Sequence, residues 1–581
     1  MKIVGSDLAV KILEENNVKY SFGVPGGHLL KFFDSIKESN ITPILTKHES
    51  GASFMATGYA QVSGKLGVCI GTVGPGATNL VTGVASAYMD SVPILVITAQ
   101  VGNSAIGKGG LQEATGQGRT VDHVEIFDGM TKYSTLVNNG IKLNQSFNNA
   151  IKLALNGRPG PVHLDITADT FASEIEVDEK AIKKISRMPM GGDPESIKKA
   201  SELLAKAETP AILAGAGAHD AATQLKELVE KYKIPIATTL RAKGILPENH
   251  ELSLGVVGLY GTNIANKYLR SEIDVLLAVG TSFSEFTTHT WDPKFQPKLA
   301  LIQIDIDPWE IDKNYQSTIC ILGDSKLSLT QILSELKNYE PKTRNTESLI
   351  KEKIQRQYFA DPAMSSESIP IKPQRMMKSL RDALPEDTIV FGDIGNNLAW
   401  VETYYQSLKP NTYYITSSLA SMGYGVSASI GGQIAAADRQ VVCICGDGGF
   451  QMQGMEVVTA VNYNVPVKWF IMNNSTLGMI KDTQNVIFKG RKFNTDFINP
   501  DYVKLAEAMG AVGLRAEKPD EIIDVTKQAL ENGRPTIVDV LIDADEAPSF
   551  DARAEAMTRA WGVQAGIWQK IKLIPEIIKR L

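Results

Sequence analysis

The residues best suited to chemistry lie in the last third of this 581-residue chain. An apolar run, Val441–Cys445, ends in Gly446-Asp447-Gly448-Gly449, and a second, Val467–Met472, ends in Asn473-Asn474. A helical pattern separates them, so both read as parallel strands with polar groups at their carboxyl ends, the edge at which open α/β sheets bind ligands. A carboxylate (Asp447) and an amide oxygen (Asn474) are hard donors suited to Mg²⁺, and the glycines let backbone N–H groups approach a phosphate sharing that ion. Gly-Asp-Gly alone is only a turn. Followed 27 residues later by an asparagine at a second strand end, it is a much narrower pattern.

These side chains need a scaffold, and strand-like and helix-like patterns alternate from end to end. That predicts an α/β protein with parallel sheets. Short apolar runs such as Gly67–Ile70, Ile94–Thr98 and Val162–Ile166 suit buried parallel strands, while Ser6–Asn16 and Pro194–Lys206 read as covering helices. A polar stretch, Met188–Asp193, and a charged one, Lys337–Pro362, read as boundaries, the latter as a linker or solvated helix. The expected blocks are 1–185, 190–340 and 365–545, followed by a tail, 546–581, whose run Ala547–Trp561 looks amphipathic. Blocks one and three are alike in length and layout. In block two, Gly215-Ala216-Gly217-Ala218 follows the apolar strand Ala211–Leu213, half of a dinucleotide fingerprint at most.

Fifty-nine basic against 65 acidic residues leave a net charge of −6 with no basic tract, which argues against nucleic acid as a partner. No uncharged apolar run reaches the ~18 residues of a membrane span. The start of the chain is amphipathic rather than signal-like. Cys443 and Cys445, a C-x-C pair on one strand face, read as packing, and with Cys69 and Cys320 they show no ligand spacing, so disulfides and a thiolate metal site are not expected and a cytoplasmic location is.

The Gly-Asp-Gly and Asn-Asn pairing resembles the thiamine diphosphate signature, and the chain as a whole resembles the acetolactate synthase branch of that superfamily. Phe22–Gly27 (FGVPGG), Lys47-His48-Glu49, Thr72–Leu80 (TVGPGATNL), Asp90–Pro93 and Gly157–Asp165 are similar to its first domain. Gly255–Thr262 and Asp305–Pro308 are similar to its central domain, and Met422–Gly425 and Leu477-Gly478-Met479 to its third.

The resemblance implies three domains, each a mainly parallel sheet flanked by helices, for pyrimidine binding, a central role and diphosphate binding. It implies thiamine diphosphate and Mg²⁺ as cofactors. Glu49 matches the glutamate that hydrogen-bonds the cofactor's pyrimidine ring. Asp447, Asn474 and the carbonyl of Thr476 match the metal ligands. Gly395, Asn396 and Asn397 match the diphosphate loop, Met422 the apolar wedge beneath the cofactor, and the carbonyl of Ala420 an acceptor from the pyrimidine amine. Pro25, Gly26, Gly446, Gly448, Gly449, Leu477, Gly478 and Met479 complete the cofactor-binding set. Gln112 matches a glutamine that faces substrate. In the family the glutamate and the diphosphate site come from different chains, so a homodimer or homotetramer is implied.

Departures fall on substrate-facing positions. His28 follows Gly26-Gly27 where a small residue is typical of acetolactate synthases; a similarly placed histidine is found in benzaldehyde lyase, and imidazole there is able to shuttle protons. Leu111 replaces a common phenylalanine, Ala168 a lysine and Thr483 a tryptophan that shapes the acceptor pocket. Phe286 stands at an arginine position near substrate and flavin, and an apolar ring cannot pair with an anion as arginine does. With Gly27, these positions Leu111, Phe286 and Thr483 form the expected substrate pocket. Thr115–His123 is longer than usual, a candidate lid or specificity loop. In relatives the central domain takes FAD, an ADP-containing ligand such as coenzyme A, or nothing, and Phe286 counts against FAD. The implied activity is decarboxylation of a 2-oxo acid such as pyruvate and addition of the remaining fragment to a second carbonyl. The alternatives are cleavage of an acyloin, diketone or 2-hydroxyacyl-CoA, and a FAD-linked oxidation of the pyruvate oxidase kind.

Overall fold

The computed structural model describes residues 1–548 apart from 272, 357–360 and 489. The amphipathic tail expected from 547 onward lies, from 549, outside the described residues. The protein contains three six-stranded sheets and a short antiparallel pair, Lys2–Val4 with Glu174–Glu176. It divides into two compact units: one formed by Met1–Pro189, Ala363–Val401 and Asn411–Ala544, the other including Met190–Pro362 and Glu402–Pro410.

The first unit holds two sheets. In space one runs Thr42–Leu45, Tyr20–Gly23, Gly67–Gly71, Ile94–Gln100, Val162–Thr167, Ser134–Val137, every neighbour parallel. The other runs Tyr413–Tyr414, Ile389–Gly392, Val441–Gly446, Lys468–Asn473, Thr536–Leu541, Val512–Ala516, again all parallel. Numbered within each sheet, both orders read 2-1-3-4-6-5. The likeness of blocks one and three therefore extends to topology. The central strands are buried and mostly apolar because helices cover both faces, as parallel crossovers require.

The two sheets share a core. The helix after Lys47-His48, Glu49–Ser63, packs along the helix Tyr424–Ala435. One apolar cluster runs through Met55, Val84, Val426, Ile430 and Trp469. Glycines allow the approach: a methyl group at Gly58 would collide with the Ala428 carbonyl, and one at Gly431 with the Met55 carbonyl. Cys443 and Cys445 are buried in this cluster, and burial pushes both thiols up.

The second unit carries one parallel sheet, Ser253–Val256, Ile236–Thr238, Ala211–Ala214, Val275–Val279, Ala300–Asp305, Ile319–Leu322, in the order 3-2-1-4-5-6. Over its described residues 337–356, the charged stretch is neither a loose linker nor a wholly solvated helix. Its helix Glu347–Arg356 buries Lys353, whose ammonium donates to the Glu248 and His250 carbonyls. Just before it, the Arg344 guanidinium caps the carbonyls of Leu204, Ala207 and Tyr232. Among the described residues no helix is long and apolar enough to cross a membrane.

Candidate active site

In a sheet ordered 2-1-3-4, the chain leaves strands 1 and 3 in opposite directions, opening a crevice at their carboxyl ends. In the later sheet those strands are Ile389–Gly392 and Val441–Gly446, and the expected cofactor residues gather at their ends. Asp447 is buried at the head of the helix Asp447–Gln453. Its Oδ2 accepts from the N–H groups of Asn474 (3.0 Å) and Ser475 (2.6 Å) and from the Asn499 amide (2.8 Å), and its Oδ1 from the Gly448 N–H. Burial pushes this carboxyl up and the four donors pull it down, with burial prevailing. The strand bearing the asparagines is Lys468–Asn473, so it ends on Asn473, and Asn474 opens the turn. Ser475 is left-handed at φ 55°, which turns the chain towards buried Thr476, whose hydroxyl donates to Asp496 at 2.7 Å.

The neighbouring loops close on this point. A methyl group at Gly478 would lie 2.8 Å from Asn396 Nδ2 and 3.6 Å from Asn474 Nδ2; one at Gly448 would lie 2.7 Å from Leu477 and 3.5 Å from the Met422 methyl. Asn396 and Asn397 open the helix Asn396–Tyr404 instead of forming only a turn, and a helix N-terminus presents free N–H groups to an anion. Gly395 (φ 140°) and Gly446 both approach Asn397 Oδ1. Ala420 is left-handed at φ 59°, and the half-buried Met422 follows it, ahead of the helix at Tyr424. Thr483 donates back to the Met479 carbonyl at 2.7 Å.

A second crevice lies between strands 1 and 3 of the earlier sheet, Tyr20–Gly23 and Gly67–Gly71. A methyl group at Gly26 would fall on Thr72, and one at Gly76 would lie 3.4 Å from Glu49 Oε1. Glu49 is the first residue of its helix, 9% exposed, and its Oε2 accepts from the Asn79 amide at 2.9 Å. Gly74 (φ 75°) approaches Gln112 Cβ within 3.2 Å of where its own Cβ would be, which brings Gln112 to the same loops. Gln112 is exposed and left-handed at φ 63°. Its neighbour Glu113 is buried and accepts from the N–H groups of Gly107, Gly109 and Gly110 and the Thr115 hydroxyl; these bonds hold its carboxyl below the usual range. Leu111 is 83% exposed. Thr115 and Asp122 form a bridge, so the 115–123 stretch is a tied loop. Pro25 is exposed, and His28 sits half-buried in the turn Gly27–Leu29.

Phe286 lies in the second unit, half-buried against Tyr260 at 5.7 Å between rings. There Gly215 and Gly217 have a packing reason of their own. Both abut the Gly280 turn, and the Gly217 N–H donates to the Gly280 carbonyl at 3.0 Å.

Sequence reasoning marked the stretch Thr72–Leu80 without singling out Thr72 or Asn79, and it missed Asp393 and Asn499. Asp393 is fully buried and accepts from Gly423 N–H (3.0 Å) and Gly425 N–H (3.1 Å), anchoring the turn that carries Met422. Burial pushes its carboxyl up to about 6. It sits beside the Gly395-Asn396-Asn397 motif, which was the one available signal. Asn499 is 52 residues from its partner Asp447 and carries no local pattern.

Two buried polar atoms, Thr72 Oγ1 and Asn396 Oδ1, have no hydrogen-bond partner among the described residues. Each faces one crevice, beside glycines whose missing side chains leave a cradle. Thiamine diphosphate and Mg²⁺ fit this donor set: an elongated ligand with a pyrimidine at one end and an anion at the other, and a hard cation beside a desolvated carboxylate.

Parallel-sheet domains with ligand crevices at their switch points define a cofactor-dependent α/β enzyme, and the comparisons identify which. Residues 3–121 match the thiamine pyrophosphate enzyme N-terminal TPP-binding domain, 197–332 its central domain and 393–540 its C-terminal TPP-binding domain. The chain belongs to the thiamine pyrophosphate enzyme family. It is 38% identical to a probable acetolactate synthase large subunit of Methanococcus aeolicus over 99% of this chain and 98% of that protein. It is 35% identical to the acetolactate synthase isozyme 3 large subunit of Escherichia coli, covering 96% of this chain and 98% of that one. The corresponding large subunit of Corynebacterium glutamicum is also 35% identical, with 94% and 87% covered.

Proposed function

We propose that this chain is a thiamine diphosphate- and Mg²⁺-dependent decarboxylase–carboligase that takes a 2-oxo acid such as pyruvate as donor and joins the fragment left after CO₂ loss to a second carbonyl compound. Support comes from the acetolactate synthase large subunits to which it is similar along nearly its whole length. The observation that carries the reading is the gathering around Asp447 of Asn474, Gly448, Asn396 and the Met422 turn, together with a separate crevice holding Glu49.

When bound, the cofactor supplies a stabilised carbon nucleophile and an electron sink. In this reading Asp447, Asn474 and the Thr476 carbonyl hold the metal, and the head of the helix at Asn396 takes the diphosphate. Met422 supports the bend between the cofactor's rings, and Ala420 turns a carbonyl towards the pyrimidine. Glu49, held by Asn79, exchanges a proton with the pyrimidine ring. Gln112 donates to the substrate oxygen, and His28 carries protons to and from it. Leu111 and Thr483, smaller than the residues usual at those positions, widen the acceptor side, which supports an acceptor bulkier than a second pyruvate. The two crevices are completed across a homodimer or homotetramer in the cytoplasm. The relatives' designation as large subunits supports a smaller partner subunit as well.

The test is CO₂ release with product identification, using pyruvate, thiamine diphosphate and Mg²⁺ with a panel of aldehyde and ketone acceptors. A 2-hydroxy ketone is expected, with turnover at least about 100-fold lower in Glu49→Gln. Unimpaired turnover in Glu49→Gln overturns the mechanism. No ligation product with any acceptor overturns the carboligase reading.

A further inference from the structure

Glu456 is a buried carboxylate outside every motif considered above. It closes the turn Gly454–Glu456, which follows the helix Asp447–Gln453 directly after a break from helical geometry at Gln453 (φ −133°), so one short stretch of chain joins it to Asp447. It is 1% exposed, and its hydrogen bonds come from backbone N–H groups and a hydroxyl. Oε1 accepts from the N–H groups of Lys47 (3.0 Å) and His48 (2.9 Å), and Oε2 from Lys47 N–H (3.1 Å) and the Thr459 hydroxyl (2.6 Å). Those amides immediately precede Glu49. One turn earlier on the same segment, Gln453 Nε2 donates to the Ser50 hydroxyl at 2.8 Å, and that hydroxyl lies 2.7 Å from the ring Nδ1 of His48. A methyl group at Gly51 would lie 2.6 Å from the Glu456 carboxyl carbon, so glycine is what lets the carboxylate reach across. The chain is thus gripped on both sides of Glu49, at 47–48 and at 50–51, by two side chains of the 447–456 segment.

Two backbone amides and a hydroxyl converging on one buried carboxylate allow little freedom, because giving up any of them leaves a buried group unpaired. The Gln453 carbonyl oxygen is itself held by the Ser427 hydroxyl at 3.1 Å, and its Cγ would lie 2.7 Å from a methyl at Gly423, behind Met422. We propose that Glu456 and Gln453 are positioning residues for Glu49: they set the backbone from which it projects, and they tie that setting to the segment that carries Asp447. This rests on the reading of Glu49 as the carboxylate that meets the cofactor's pyrimidine.

The experiment compares Glu456→Gln and Gln453→Leu with wild type and with Glu49→Gln, in the full chain. Three quantities are read: amide hydrogen exchange of the 44–55 peptide without added cofactor, the affinity for thiamine diphosphate with Mg²⁺ by tryptophan fluorescence, and the exchange rate of the bound cofactor's acidic ring proton by quench and NMR. Both positioning variants are expected to loosen the 44–55 peptide and to bind cofactor within about threefold of wild type. Ring-proton exchange should slow by about tenfold or more, the size of effect a misplaced catalytic group produces. If Glu456→Gln does not fold, Gln453→Leu carries the test. Folded variants with wild-type proton exchange overturn the proposal, provided Glu49→Gln is slow. If Glu49→Gln also exchanges at the wild-type rate, the role of Glu49 falls instead.

Discussion

Asp447 and Glu402 are both buried carboxylates, and their partners distinguish them. Asp447 collects four N–H donors in the first unit, while Glu402, fully buried in the second, has no hydrogen-bond partner on either oxygen. Burial pushes the Glu402 carboxyl up to about 8, with Lys243 opposing the shift and Glu248 adding to it. The folded chain therefore holds that proton more tightly than the unfolded chain, where the group titrates near 4.5. The stabilisation is whole below about 4.5 and is lost as pH climbs to about 8. Glu402→Gln should match wild type in denaturant midpoint at pH 5 and exceed it at pH 8.5, by roughly 1–3 kcal/mol, the cost of an unpaired buried polar group. A second prediction concerns Asn499, which donates both to Asp447 and to Asn473 Oδ1. Asn499→Leu should weaken Mg²⁺-dependent cofactor binding about 10-fold or more, as loss of a ligand's hydrogen-bond support does; isothermal titration measures it. Asp447 and Asn474 were legible because glycine and strand ends mark them. Asn499 and Asp393 were not, because their bonds join residues 30 to 52 positions apart and leave no local trace.

Strands were read from apolar runs to within a residue or two: Gly67–Ile70 is Gly67–Gly71, and Val441–Cys445 is Val441–Gly446. A run of apolar residues bounded by glycine has few other folds available to it. The helix Tyr424–Ala435 is a different matter. Its sequence, YGVSASIGGQIA, contains three glycines and two serines, and intrinsic propensity disfavours it. Contact with the helix Glu49–Ser63 compensates, because Gly58 and Gly431 let each backbone lie against the other's carbonyls. Gly58→Ala should cost roughly 1–3 kcal/mol or more by forcing the pair apart. Urea denaturation reads the loss, and activity per folded molecule should fall with it because the displaced helix begins at Glu49. Without propensity or spacing to announce it, such an interlock appears only once both helices are seen together.

At the scale of the molecule, the α/β class with parallel sheets was legible from alternation, while the three blocks were read from two polar boundaries and one sheet in each from the resemblance. The strand orders were not, because crossover choices leave no mark on composition. If Glu49 and Asp447 of any one site belong to different chains, two inactive variants should complement. Mixing Glu49→Gln with Asp447→Asn after dissociation makes half the dimers hybrid, each with one intact site, so about a quarter of wild-type activity should return. Sites built within one chain would return none.

The repeated 2-1-3-4-6-5 order has a consequence for how such a protein can change over time. One architecture, used twice, offers two equivalent crevices, and in the function proposed above each takes a different chemistry: a proton-handling carboxylate in one, an ion-and-anion cradle in the other. Neither crevice draws its strands from the 3-2-1-4-5-6 sheet inserted between them in the chain. A change of ligand in that insert would therefore alter no strand of either crevice.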